Sequence, residues 1–280
     1  MKKVWILTLL SLSLTACSLA SSGDEQEAKE DAPASSQKEA EQTASDKEDQ
    51  SSSGEGTEQA PADEKKDSSS AKTEKDKVLA DGTVEVGDPE SLQVVVNKNR
   101  KLPGDYVPED LTVPNVPFYF QEDHPKKQMR EEAARALEEL FEAAEGDGIE
   151  LVAASGYRSY ERQKRIYERN VEVYGKEETD TFSAQPGTSE HQTGLAMDVT
   201  SAQVAFKLEQ SFGETTEGEW LADHAHEYGF IIRYREGAKD ITGYMYEPWH
   251  LRYVGKEVSS DVHEQAVTLE EFFGLYPSAE

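Results

Sequence analysis

Cysteine is almost absent from this chain, because Cys17 is the only one among 280 residues. The rest of the chain can therefore hold no disulfide, no thiol nucleophile and no cysteine-based metal site. Basic residues are also scarce, since 29 Lys and Arg stand against 57 Asp and Glu, a formal net charge of −28. A surface of that sign repels phosphates and anionic lipid headgroups, which argues against a nucleic-acid-binding protein.

The apolar run over residues 4–14 is too short to span a bilayer. Two lysines precede it, a pattern typical of a secretory signal. The letters LTAC at 14–17 resemble the lipobox of bacterial lipoproteins, in which the cysteine is lipidated and becomes the first mature residue. This resemblance predicts a signal peptide over 1–17 and a lipid anchor at Cys17 on the outer face of the bacterial cell membrane. An ordinary signal peptide that contains a cysteine is the alternative.

Residues 18–80 lack aromatic side chains and have few aliphatic ones larger than alanine. Such a segment cannot bury enough apolar surface to offset its chain entropy. Its serine, glycine and mixed charges predict a disordered acidic tether over 18–85, with a reach of roughly 40–45 Å by random-coil scaling. A folded domain is predicted over 86–280.

The folded part combines helical and strand patterns. Met129, Ala133, Leu137 and Phe141 recur on one face of a predicted helix that ends at Gly146. Further helices are predicted over 159–175 and 219–229, and strands over 92–97, 149–155, 195–201, 230–234 and 249–255. Early helices followed mainly by strands indicate an α+β fold with a mostly antiparallel sheet.

Two histidines and one aspartate are candidates for a metal site. Alternation along LAMDV directs Asp198 away from the core face, and His191 lies in the loop that enters this strand. The same alternation along WHLRY directs His250 away from the core side. Two histidines and one carboxylate are a common catalytic zinc set, with a fourth position for water. Glu247 is a candidate base nearby, but this spacing also arises by chance, and structural histidines stay an open alternative.

Three sequence blocks together resemble a known family. SGYRSYERQ, SEHQTGLAMDVT and GYMYEPWHLRYVG occur in that order and are similar to the motifs of VanY-type D-alanyl-D-alanine carboxypeptidases. These are zinc peptidases of bacterial cell-wall peptides, related to the LdcB-type L,D-carboxypeptidases. The similarity runs from about Leu102 to Val254. It implies the small α+β zinc-peptidase fold shared with lysostaphin-like and hedgehog domains.

The resemblance also implies roles for individual residues. One zinc ion would be held by His191, Asp198 and His250, and Glu247 would be the catalytic base. The substrate site would be lined by Arg158, Gln163, Ser189, Tyr234 and Trp249. Since arginine can grip a carboxylate with two parallel hydrogen bonds, Arg158 is predicted to receive the free carboxylate of the substrate. Gln163 is predicted to add an amide donor.

The implied function is removal of a C-terminal D-alanine from peptidoglycan stem peptides by a monomer that contacts the membrane only through lipidated Cys17. The residues do not separate a D,D-bond in a pentapeptide from an L,D-bond in a tetrapeptide. Three alternatives stand beside this function: a wall endopeptidase of the same fold, a cytoplasmic D,D-dipeptidase and a non-catalytic zinc-binding wall module. The signal sequence argues against the second, and Glu247 argues against the third, because a pure metal-binding site needs no base.

Overall fold

A computed structural model describes residues 75–275. The predicted signal peptide, Cys17 and the tether up to residue 74 lie outside the described residues. Residues 75–85, the predicted end of the tether, already contain two short paired strands. Within 75–275, no helix combines the length and the hydropathy that crossing a bilayer requires.

The described residues contain nine β-strands and seven α-helices. The strands are β1 (Lys77–Val78), β2 (Val84–Glu85), β3 (Arg100–Lys101), β4 (Leu111–Thr112), β5 (Met129–Arg130), β6 (Val152–Ser155), β7 (Ala196–Thr200), β8 (Phe230–Tyr234) and β9 (Glu247–Tyr253). The helices are α1 (Glu131–Gly146), α2 (Tyr160–Tyr174), α3 (Lys176–Phe182), α4 (Thr216–His224), α5 (Lys239–Thr242), α6 (Lys256–Gln265) and α7 (Leu269–Phe272). The three predicted helices are confirmed as α1, α2 and α4, although the last turn of the third is a 3-10 helix, Ala225–Tyr228.

A four-stranded sheet in the order β6-β7-β9-β8 forms the centre of the fold, and every neighbouring pair in it is antiparallel. Its strands are rich in the aliphatic and aromatic residues that suit a pleated, buried surface. Two- and three-stranded sheets of very short strands lie elsewhere in the described chain. The predicted α+β class with a mostly antiparallel sheet is confirmed.

One face of the central sheet packs against α1. Leu137 and Leu140 of α1 and Met197 and Leu251 of the sheet have no exposed surface and belong to one core cluster. Each such side chain stabilises the fold by about 1.5–3 kcal/mol through burial. Because side chains alternate along a strand, this packing leaves the neighbouring positions of β7 and β9 on the opposite face.

The opposite face is partly covered by the C-terminal helices. Val258 and Val262 of α6 and Leu269 of α7 pack with Ile231 of β8 and Val254 in a second, smaller apolar cluster. The space on this face that the second cluster does not fill contains the polar residues described below.

Residues 92–97 do not form the strand that their valine-rich pattern predicts. Their backbone carbonyls are bonded to arginine side chains instead of a partner strand. Arg252 Nη2 donates to Leu92 O at 3.0 Å and Val94 O at 2.7 Å, and Arg100 Nε donates to Val95 O at 3.2 Å. Residues 94–97 are therefore buried without belonging to the central sheet, and the chain makes a turn at 92–93.

Helix α2 buries very little of its surface. Its one buried residue is Gln163, and its apolar residues Ile166 and Tyr167 are half-buried. Tyr167 Oη donates to Asp180 Oδ1 at 2.7 Å, which ties α2 to α3 rather than to the main core.

Candidate metal centre

The register of the central sheet brings two of the predicted ligands together. Asp198 on β7 and His250 on β9 are directly paired residues, so their side chains project from the same face. His191 comes from the short 3-10 helix Glu190–Thr193, which ends at Gly194. Gly194 has a φ of 69°, a left-handed conformation that glycine adopts without steric cost. The chain can therefore turn sharply between His191 and β7.

The three side chains form a compact, buried group. One ligand atom from each of His191, Asp198 and His250 lies within 4.8 Å of the others. His191 Nε2 is 3.4 Å from Asp198 Oδ2, and His250 Nδ1 is 3.1 Å from Asp198 Oδ1. A tetrahedral ion with bonds of about 2.0–2.2 Å separates its ligand atoms by about 3.3–3.6 Å, and each nitrogen lies at about that separation from the Asp198 oxygen that it faces.

Asp198 Oδ1 shows that the group fits a metal. It is buried and has no hydrogen-bond partner among the described residues, despite the nearby His250 nitrogen. A buried carboxylate oxygen without a partner is rare, and a carboxylate whose two oxygens each face an imidazole nitrogen matches the donor set that zinc prefers.

The outer nitrogen of each histidine faces an acceptor. His191 Nδ1 lies 2.8 Å from the carbonyl oxygen of Gly156, and His250 Nε2 lies 3.4 Å from Glu190 Oε2. These acceptors place the N–H on the outer nitrogen and leave the inner nitrogen with a lone pair for a metal. Only glycine fits at Gly156, because a Cβ there would lie 2.4 Å from the carbonyl oxygen of Gln128.

The two histidines differ in protonation when no metal is bound. Burial lowers the pKa of His191 to about 3, so it stays neutral. Burial also opposes a charge on His250, but its contacts with Asp198 and Glu190 raise its pKa to about 9. Metal binding must therefore displace a proton from His250, which makes metal affinity weaker at lower pH.

Glu247 stands at the edge of this group. It begins β9, pairs with Tyr234 of β8, and its Oε2 lies 3.9 Å from His250 Nδ1. Burial raises the pKa of Glu247 to about 7, while the nearby charges of His250 and Asp198 act in opposite directions. A carboxyl group with a pKa near neutrality is suited to proton transfer at physiological pH.

The raised pKa of Glu247 predicts a pH-dependent stability of the metal-free protein. The folded state binds this proton more tightly than the unfolded chain, where the pKa is about 4.5. The favourable contribution is therefore complete at acidic pH and is lost as the pH rises through about 7. We expect metal-free Glu247→Gln to gain about 2–3 kcal/mol in unfolding free energy over the wild type between about pH 5 and pH 8.

Urea unfolding after chelation measures this difference at each pH. Glu236→Gln, which removes an exposed acid just after β8, serves as the control and should show no such trend. Parallel stability profiles of Glu247→Gln and the wild type would show that Glu247 titrates normally.

A small cavity of about 90 Å³ opens beside His191, Asp198 and His250, which we call the metal group. Its lining residues are Arg158, Phe182, Ala184, Ser189, Glu190, His191, Tyr234, Tyr244, Glu247 and His250. The structure thus brings Arg158, Ser189 and Tyr234 of the predicted substrate residues to the cavity. Gln163 and Trp249 are missing from the described residues that line it.

Gln163 orients Arg158 instead of facing the cavity. Arg158 Nη1 donates to Gln163 Oε1 at 3.0 Å, and the Gln163 amide nitrogen donates to Ala184 O at 2.6 Å. The predicted extra donor is therefore already engaged. The backbone N–H of Arg158 also donates to His191 O at 3.1 Å, which links the arginine directly to the metal group.

Trp249 packs against the main core cluster, because it alternates with His250 along β9. The sequence did not assign Tyr244 to the substrate site. Its ring lies 4.5 Å from that of Tyr234, and the Tyr234 ring lies 4.9 Å from that of His250. Phe182 and Glu190 were also missed. Phe182 lies in a polar stretch with no apolar pattern to mark it.

Comparison with known proteins places this site in a family. Residues 126–256 match the family model described as VanY, D-alanyl-D-alanine carboxypeptidase. The chain is 49% identical over 193 residues to YodJ of Bacillus subtilis (strain 168), which carries the provisional name carboxypeptidase. The match covers 69% of this chain and 71% of YodJ. The chain belongs to the VanY family.

Solved structures agree with this membership in the VanY family. The LdcB LD-carboxypeptidase is 46% identical with a TM-score of 0.69, over 73% of this chain and 96% of that one. A mutant of the vancomycin resistance D,D-pentapeptidase VanY in complex with Zn(II) is 33% identical with a TM-score of 0.53, over 66% of this chain and 99% of that one. The predictions of family, fold class, metallocarboxypeptidase type and zinc cofactor are confirmed. Membership in a family of cell-wall peptidases implies action outside the cytoplasm.

Proposed function

We propose that this VanY-family carboxypeptidase removes the C-terminal D-alanine from peptidoglycan stem peptides. His191, Asp198 and His250 hold one zinc ion, and Glu247 is the base. The main support is the buried Asp198 carboxylate, whose two oxygens each face one imidazole nitrogen, beside a carboxyl group with a pKa of about 7. The greater similarity to LdcB than to VanY makes the L,D-bond of a tetrapeptide the first bond to test.

Different groups at the cavity have different roles in the reaction. Zinc, when bound, supplies Lewis acidity that lowers the pKa of water toward about 7 and polarises a carbonyl group. Glu247 takes a proton from the attacking water on its carboxylate and delivers it to the leaving amine of D-alanine. The neutral His191 and the deprotonated inner nitrogen of His250 stay in place during this transfer.

Arg158 supplies the positive charge that a carboxypeptidase needs for the substrate's free carboxylate. It lines the cavity, and Gln163 holds one of its guanidinium nitrogens at 3.0 Å. A planar guanidinium fixed in this way is pre-organised for a carboxylate. The small volume of the cavity suits a terminal residue with a methyl side chain. Ser189 and Tyr234 complete its wall.

We expect Arg158→Ala to raise KM and to lower kcat/KM by about 10- to 100-fold for stem peptides with a free C-terminal carboxylate, since hydrogen bonds to charged groups contribute about 1.5–3 kcal/mol. Activity on C-terminally amidated peptides should stay at its low level. Arg165→Ala, an exposed arginine of α2, is the matched control. If Arg158→Ala still preferred the free carboxylate over the amide as strongly as the wild type does, Arg158 would not be the residue that recognises the carboxylate.

Mass spectrometry of purified muropeptides tests the proposed function. The zinc-loaded protein should release one D-alanine from a tetrapeptide, a pentapeptide or both. Internal cleavage of a cross-linked peptide would establish the endopeptidase alternative. Zinc binding without any product would establish the non-catalytic wall-binding module.

We propose further that Cys17 carries a lipid anchor and that the segment between Cys17 and the first paired strands tethers a monomeric domain to the outer face of the cell membrane. The LTAC motif and the composition of the following segment support this proposal. Metabolic labelling with a palmitate analogue should mark the wild type and not Cys17→Ala. Equal labelling of both would contradict the anchor, and light scattering of the purified domain tests the monomer.

A further inference from the structure

A buried group of four charged residues lies directly behind the metal centre. Glu190, Arg233, Arg252 and Glu270 have side chains with no exposed surface, and we call them the ionic cluster. Glu190 comes from the 3-10 helix before β7, Arg233 from β8, Arg252 from β9 and Glu270 from α7. The two positive and two negative charges cancel within the cluster.

One oxygen of Glu190 is fixed by both arginines. Glu190 Oε1 accepts from Arg233 Nε at 2.7 Å and from Arg252 Nη1 at 2.7 Å. Arg233 uses its other two nitrogens on Glu270, at 2.8 Å and 2.5 Å. Arg252 is held in turn by backbone carbonyls of the segment 92–97. The orientation of the Glu190 carboxylate is therefore set from several sides.

The other oxygen of Glu190 faces the metal centre. Glu190 Oε2 lies 3.4 Å from His250 Nε2, and His250 Nδ1 faces Asp198 on the inner side. A carboxylate accepts hydrogen bonds and donates none, so it selects the tautomer of His250 that carries its proton on Nε2. That tautomer leaves the inner nitrogen free for zinc.

We propose that Glu190 is a positioning residue of the metal centre, which fixes the ring orientation and tautomer of His250 through Nε2. This inference rests on the proposed function, because it requires His250 to be a zinc ligand. Glu270 and the segment 92–97 lie outside residues 126–256, the part that matches the family model. Flanking parts of this chain thus help to hold a ligand of the family's metal site.

Two single substitutions within the ionic cluster, one at Glu190 and one at Glu270, test the role of Glu190. Since outer partners of metal ligands typically contribute 10- to 100-fold to metal affinity, we expect Glu190→Gln to weaken zinc binding by about that factor in a chelator competition. The absorption spectrum of the Co²⁺-substituted protein should also change, because the ligand geometry is altered. Glu270→Gln is the matched control, since it removes a charge from the same Arg233 and leaves both arginine contacts and the His250 contact of Glu190 in place.

The control should lower the thermal stability but leave zinc affinity and the Co²⁺ spectrum as in the wild type. Equal loss of zinc affinity in both variants would reduce Glu190 to a structural charge partner and overturn the proposal. An unchanged affinity and spectrum in Glu190→Gln would overturn it as well.

A measurement on the wild type keeps the proposal testable even if Glu190→Gln does not fold. In the zinc-loaded protein with ¹⁵N-labelled histidine, NMR should show His250 bound to metal through Nδ1, with a slowly exchanging proton on Nε2. Zinc bound through Nε2, or a rapidly exchanging Nε2 proton, would overturn the positioning role alone. Full zinc retention by His250→Ala would instead contradict the proposed ligand set.

Discussion

We expect Glu247→Gln to lower kcat by about 10²–10⁴-fold while the protein keeps its zinc and its fold. Glutamine preserves the shape of the side chain but cannot accept a proton from water. Glu247 Oε2 lies 3.9 Å from His250 Nδ1, and the Glu247 side chain is 23% exposed, which places it at the open side of the three ligands. Steady-state kinetics and metal analysis of the same preparation measure both parts of this prediction.

Glu236→Gln is again the control, because it removes an exposed acid of the same charge that does not line the cavity. It should retain full activity. Loss of zinc from Glu247→Gln would make Glu247 a ligand rather than the base. Full activity with zinc in place would assign the proton transfer to another group.

The sequence indicated the faces of the site strands but not how the strands pair. Alternation along LAMDV and WHLRY is enough to direct Asp198 and His250 away from the core. Their direct pairing depends on the register between β7 and β9, which are far apart in the chain. A shift of one residue would move one of them to the opposite face. Such long-range register cannot be inferred from a local pattern.

The ionic cluster was missed for a different reason. Charged residues are almost never fully buried unless they are paired, so Glu190, Arg233 and Arg252 suggest surface positions when they are read one at a time. Arg233 lies 43 residues and Arg252 lies 62 residues after Glu190 in the chain, so no local pattern links them. Arg252 also explains why the strand predicted over 92–97 does not form. Backbone carbonyls of this segment accept hydrogen bonds from the Arg252 side chain instead of from a partner strand.

Removal of a zinc ligand is expected to have the largest effect of all. We expect His191→Ala to lose zinc affinity by more than the 10- to 100-fold typical of outer partners and to have no detectable peptidase activity. His191 provides one of three buried ligand atoms, and an alanine there leaves the Asp198 carboxylate facing a single imidazole. Two protein ligands fall short of the three that catalytic zinc sites use.

Thermal unfolding with added zinc separates metal binding from catalysis. A ligand that binds only the folded state stabilises it in proportion to the logarithm of its concentration above Kd. Zinc should therefore raise the Tm of the wild type and of Glu247→Gln but not that of His191→Ala. His263→Ala, an exposed histidine that stacks on His226 away from the metal group, should behave as the wild type. Stoichiometric zinc in purified His191→Ala, with a normal rise in Tm, would exclude His191 from the ligand set and move the metal to another group of side chains.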